Sequence, residues 1–102
     1  QQEQLGTGHA VMQVRDTLAG QAQTILVTYG DMPLLTGETL RRLLDAHLAA
    51  GDTPVTMLSV IADDPRGFGR VLRNEQGDVT AIVEEAVATP EQLAIRELNV
   101  GV

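Results

Sequence analysis

The spacing of apolar positions changes several times along the chain, and each change predicts an element. Leu40, Leu43, Leu44, His47 and Leu48 recur at i, i+3, i+4, i+7 and i+8, the mark of a helix with one buried face. Thr36 supplies its cap and Gly51 its end, so the helix is predicted to run to about Ala50, with His47 packed on its apolar face. Ile25 to Thr28, inside the stretch Thr24–Leu35, is a short, continuous, β-prone run and predicts a central strand of a parallel sheet. Pro33 stops that run from continuing. Thr53 to Ala62 predicts a second buried strand, with Pro54 tolerated near its start. Phe68–Arg73 and Asp78–Val83 predict a hairpin across Asn74-Glu75-Gln76-Gly77. Before these, His9 to Leu18 predicts a helix capped by Thr7 or Gly8 and ended by Gly20. Thr89-Pro90-Glu91-Gln92 combines a capping box with proline at the first helical position, predicting a short helix to about Ile95. Glu97 to Val102 closes as a strand. The predicted class is α/β, a mostly parallel sheet with an inserted β-hairpin.

Composition narrows the function. With 102 residues, 43% of them apolar, the chain suffices for one small domain. It has no apolar run of membrane-spanning length and no signal-peptide pattern. Cysteine is absent, which excludes disulfides and thiolate metal sites and is compatible with a cytoplasmic location. Net charge is −7, all seven bases are scattered arginines, and Tyr29 and Phe68 are the only aromatics. A nucleic-acid partner is therefore disfavoured. An acidic chain without lysine is poorly equipped to hold a triphosphate unaided. A metal must do most of the charge neutralisation, or cationic parts lie outside these 102 residues. The chain starts at Gln1 without a methionine and is read as a fragment.

The candidate chemistry centres on Tyr29-Gly30-Asp31, at the carboxyl end of the predicted strand, where open α/β sheets bind ligands. A carboxylate there suits Mg²⁺ shared with substrate phosphates, which supply the remaining oxygens. The local pattern is equally consistent with Asp31 capping a turn. Gly6-Thr7-Gly8 offers free N–H groups for an anion or a base edge, or else is only a loop with a cap. Gly67-Phe68-Gly69-Arg70 suits a loop packed under a ligand, or a bulge entering a strand. Glu84 and Glu85 are adjacent at a strand end, so at most one of them faces a site. Asp63-Asp64 reads as the start of a turn, and His9 as a structural residue. No zinc cluster and no nucleophile–base–orienter arrangement is evident in the spacing.

Taken together, Gln4-Leu5-Gly6-Thr7-Gly8-His9-Ala10, Tyr29-Gly30-Asp31-Met32-Pro33-Leu34, Gly67-Phe68-Gly69-Arg70, Ile82-Val83-Glu84, Ala88-Thr89-Pro90-Glu91-Gln92 and Ile95-Arg96-Glu97-Leu98-Asn99 form a pattern. In order and spacing it resembles the bacterial bifunctional N-acetylglucosamine-1-phosphate uridyltransferase/glucosamine-1-phosphate acetyltransferases. The resemblance covers the whole chain and places residues 1–102 as a central fragment of a sugar-phosphate nucleotidyltransferase domain. It implies a Rossmann-like fold and transfer of uridylate from UTP to N-acetylglucosamine 1-phosphate, giving UDP-N-acetylglucosamine and pyrophosphate with Mg²⁺ as cofactor. The product would feed peptidoglycan and lipopolysaccharide synthesis, and the parent enzyme would be a cytoplasmic homo-oligomer, a trimer. By this resemblance Gln1 contacts uracil, Gly6 and Thr7 bind the base through their backbone, and Tyr29 and Gly30 border nucleotide and sugar. Asp31 holds the metal, and Gly69, Glu84 and Asn99 hold the N-acetylglucosamine moiety.

The family's glycine-rich start with its arginine and lysine, its asparagine metal ligand and its acetyltransferase β-helix have no counterpart in these residues. Ala86 and Val87 stand where many relatives carry lysine and aspartate, Phe68 replaces a tyrosine, and Val100 a threonine or alanine. The fragment is accordingly expected to be inactive alone. Two other readings stay open: a pyrophosphorylase for another sugar 1-phosphate, and a non-catalytic nucleotide-binding or scaffold fragment.

Overall fold

The computed structural model describes residues 3–102, so Gln1 lies outside the described residues. The chain forms α1 (Thr7–Met12), α2 (Arg15–Leu18), α3 (Gly37–Ala49), β1 (Ser59–Ile61), β2 (Gly69–Arg73), β3 (Val79–Val83), a 3₁₀ turn (Glu85–Val87), α4 (Pro90–Leu93) and β4 (Glu97–Asn99). The strands make one sheet in the order β1-β4-β2-β3.

All three pairings are antiparallel, which corrects the expectation of a mostly parallel sheet. The reason lies in residues 24–29, which make no ladder. Ile25, Leu26 and Val27 remain about half exposed, so this apolar run has no neighbouring strand to pair with among the described residues. The α/β class stands. The predicted second strand is likewise shorter, confined to β1, because only Ser59–Ile61 lie opposite β4. Beyond it, the Leu58 amide donates to the Val102 carbonyl and the Ala62 amide to the Arg96 carbonyl, extending the pairing at both ends.

The local signals in the sequence form as chemistry dictates. Thr36 caps α3 by accepting from the Thr39 amide at 3.2 Å, and Gly51 ends it at φ +68°. Thr89 and Gln92 form a reciprocal capping box, with Pro90 opening α4. The hairpin turns at Asn74, whose side-chain oxygen accepts from the Gln76 and Asp78 amides. The predicted helix over 9–18 is divided at Gln13-Val14 into α1 and α2 and starts from Gly6. With no buried residue on either piece, no packing enforces a continuous helix through Val14. The predicted buried face of α3 also stays open: Leu44 and Leu48 are exposed, and His47, half-buried, shares a hydrogen bond with Thr56 at 3.0 Å.

Fully buried positions concentrate in the sheet, at Gly69, Arg70, Val71 and Leu98. A three-strand tie locks its register. Glu97 in β4 accepts from Arg73 of β2 at 2.7 and 2.8 Å and from Ser59 of β1 at 2.7 Å. The radius of gyration is 15.1 Å, against about 13 Å for a compact domain of this length. Apolar surface on residues 25–27, α1 and α3 is therefore left without a layer to cover it.

Candidate active site

The antiparallel register decides which side chains meet. Gly69 at the start of β2 lies opposite Asn99 at the end of β4, and Arg70 lies opposite Val83 of β3. Alternation along the strands puts Gly69, Asn99 and Glu84 on one face at one end of the sheet. A side chain at position 69 would fill the gap between them. A Cβ there would sit 3.1 Å from Ile82 Cγ2 and 3.2 Å from Glu84 Oε1. A side chain at 69 would therefore require Ile82 and Glu84 to give way by a few tenths of an ångström.

Residues 29–32 close the other side. Tyr29, Asp31 and Met32 join Gly67, Phe68, Gly69, Glu84 and Asn99 around a cavity of about 500 Å³. Gly101, at φ +78°, lies directly under the Tyr29 ring, so a Cβ there would collide with it. That backbone conformation and that contact both require glycine. Of the residues singled out in the sequence, the fold thus gathers Tyr29, Asp31, Gly69, Glu84 and Asn99. Gly30 sits in the adjoining turn with nothing within 4 Å of a Cβ position, so no protein backbone approaches it closely among the described residues. Gly6 precedes α1 at φ +97° and Thr7 opens it; neither lines the cavity. Gln1 is outside the described residues. The sequence reading missed Gly101, whose only local signal is a glycine two residues beyond a strand end.

The polar groups have defined roles left to play. Asn99 Oδ1 accepts from the Gly101 amide at 3.1 Å, which leaves its NH₂ group, unbonded among the described residues, as the donating end. The Asp31 and Glu84 side chains make no hydrogen bond among the described residues, so both carboxylates can act as acceptors. Glu85, next in the chain, faces elsewhere: it accepts from the Gly67 amide at 2.8 Å and from Arg70 at 3.1 Å. These two bonds, that from Gly67 first, hold its carboxyl below the usual range. The pair of neighbouring glutamates is split between cavity and scaffold, Glu84 just beyond β3 and Glu85 opening the 3₁₀ turn.

Arginine does not line the cavity. Arg66, Arg70, Arg73 and Arg96 are each paired with an acid, at Asp64, Glu85, Glu97 and Asp63 respectively. A phosphate brought here would meet two carboxylates and no cation. A carboxylate such as that of Asp31 could supply one or two oxygens to a hard divalent ion, with the remaining ligands coming from outside the protein. The donor set does not fit a site built from protein ligands alone, since no group of three or more ligating side chains exists among the described residues.

A model of the nucleotidyl transferase family matches residues 1–94. The chain belongs to the nucleotidyl transferase family. Over all 102 residues it is 56% identical to "Bifunctional protein GlmU" of Corynebacterium glutamicum, covering 21% of that protein. Proteins of the same name from Heliobacterium modesticaldum and Bacillus licheniformis are 52% and 46% identical over 101 residues, 99% of this chain and 22% of each relative. The chain spans about a fifth of the length of these relatives. Among the described residues no helix is long and apolar enough to cross a membrane.

Proposed function

We propose that this chain is the central part of a uridylyltransferase domain that converts UTP and N-acetylglucosamine 1-phosphate to UDP-N-acetylglucosamine and pyrophosphate. The observation that carries the reading is the single cavity shared by Tyr29, Asp31, Gly69, Glu84 and Asn99. These residues come from four separate parts of the sequence, and each has chemistry that the two substrates need.

In this reaction a phosphate oxygen of the sugar phosphate attacks the α-phosphorus of UTP in line, and pyrophosphate leaves. No side-chain nucleophile is needed; positioning and charge neutralisation suffice. Gly69 leaves the floor open for the sugar ring. Glu84 accepts hydrogen bonds from sugar hydroxyls, while the Asn99 NH₂ donates to the N-acetyl carbonyl. Tyr29 forms the wall between sugar and nucleotide. Asp31 holds Mg²⁺, which when bound neutralises phosphate charge at the reacting centre. Gly6 and Thr7 serve the base from outside the cavity, so the nucleotide would reach from α1 towards Asp31. We take the reaction as cytoplasmic because its donor is a nucleoside triphosphate. Exposed apolar surface on residues 25–27 and α3 supports the view that the 102 residues work within a longer polypeptide and are inactive alone.

The test is uridylyl transfer by the uninterrupted protein carrying this segment, with N-acetylglucosamine 1-phosphate and glucose 1-phosphate compared. A kcat/KM at least about tenfold higher for the acetamido sugar is expected, since an unpaired Asn99 donor is costly. Equal turnover would point to another sugar phosphate, and none with either acceptor would favour a binding role.

A further inference from the structure

The Gly67–Gly69 turn forms one wall of the cavity, and two side chains outside the cavity hold it from behind. Arg70 is only 2% exposed, an unusual place for a guanidinium. Its Nη1 donates to the Phe68 carbonyl, and its Nη2 donates to Glu85 Oε2. The same Oε2 accepts the Gly67 amide at 2.8 Å. Backbone groups of two successive residues, the Gly67 donor and the Phe68 acceptor, are thus fixed by a single arginine–glutamate unit. Buried Arg70 Nε has no partner among the described residues. That orphan carries a desolvation cost, and replacing a buried charge by well-packed apolar side chains is often neutral or stabilising. Stability alone does not account for an arginine here. What the pair does secure is geometry: Arg70 follows Gly69, Glu85 follows Glu84, and Glu84 Oε1 stands 3.2 Å from a Cβ position on Gly69.

We infer that Arg70 and Glu85 are positioning residues of the acceptor site, setting the gap between Gly69 and Glu84 through the Gly67 amide and the Phe68 carbonyl. The inference rests on the function proposed above and adds two residues that touch no substrate.

The test is steady-state kinetics of Glu85→Ala, Glu85→Gln and Arg70→Lys in the uninterrupted enzyme. Glu85→Ala releases the Gly67 amide and should raise KM for the sugar phosphate about tenfold, because small misplacements at a binding wall are costly. Its kcat and its KM for UTP should stay within about twofold of wild type. Glu85→Gln keeps an acceptor for Gly67 and should recover acceptor KM to within about threefold. Arg70→Lys keeps the charge but loses the fork, so it should resemble Glu85→Ala. An unchanged acceptor KM in Glu85→Ala overturns the inference, as does a joint change of kcat and both KM values. A wild type inactive on both sugar phosphates would instead sink the proposed function. Amide exchange then decides the positioning role: Glu85→Ala should speed exchange at Gly67 at least about tenfold. Unchanged exchange there overturns it.

Discussion

Replacing Glu97 by glutamine removes a charge that three strands share, and the effect should depend on pH in a defined way. Glu97 Oε2 accepts from Arg73 Nε at 2.8 Å, and Oε1 accepts from Arg73 Nη2 and Ser59 Oγ, both at 2.7 Å. The arginine fork, with the serine second, pushes the carboxyl from its ordinary 4.5 down to about 2. At about 1.4 kcal/mol per unit, such a displacement corresponds to roughly 3 kcal/mol. Arg73 is 44% exposed and solvent screens the pair, so about 1–2 kcal/mol is the expected contribution. Because the folded value is depressed, the unfolded chain takes up the proton first as pH falls. The stabilisation is therefore complete above about pH 4.5 and disappears between there and pH 2. Urea unfolding at pH 7 and pH 2.5 should show wild type more stable than Glu97→Gln by about 1–2 kcal/mol at neutral pH, with the gap closing in acid. Carbon-13 titration of the Glu97 carboxyl provides the site-specific control. A Glu97 that titrates near 4.5, or a gap that persists at pH 2.5, would refute the reasoning. The consequence reaches the site as well. Asn99 lies two residues along β4, opposite both Ser59 and Gly69, so loosening this tie should weaken acceptor binding.

Two further substitutions probe separate links. Gly101→Ala drives a Cβ into the Tyr29 ring at a φ that disfavours side chains, so it should cost at least about 2 kcal/mol. It should also shift the Tyr29 ring resonances, whereas unchanged shifts would argue against the contact. Thr89→Ala removes the capping box of α4 and should cost about 1 kcal/mol in the same urea assay with the acceptor KM unchanged, since α4 lies against β2 away from the cavity.

The sequence made legible what short-range chemistry decides. The caps at Thr36 and Thr89 and the turn glycines Gly51 and Gly77 form where residue type and spacing predict, because their partners lie within four residues. Asp31, Glu84 and Asn99 were recognisable as candidates, and the antiparallel register of β2 explains how Gly69, Glu84 and Asn99 meet. Pairing direction was not legible. Ile25–Thr28 has the composition of a buried strand, yet a strand becomes part of a sheet only when another backbone lies beside it. The Arg70–Glu85 unit escaped for a similar reason: fifteen residues separate the partners, and nothing in either one's neighbourhood announces the other. Helix α3 shows the converse, a periodicity that forms its helix while the face it predicts as buried stays open.

The central claim is that Asp31 holds the metal for transfer in the cavity it shares with Glu84 and Asn99, and the rate of UDP-N-acetylglucosamine formation as a function of Mg²⁺ tests it most directly. In the uninterrupted enzyme, Asp31→Asn preserves shape and removes the charge. The account predicts a kcat/KM at least about a hundredfold below wild type, partly restored by raising Mg²⁺. Wild-type activity in Asp31→Asn at the same Mg²⁺ concentration would contradict it.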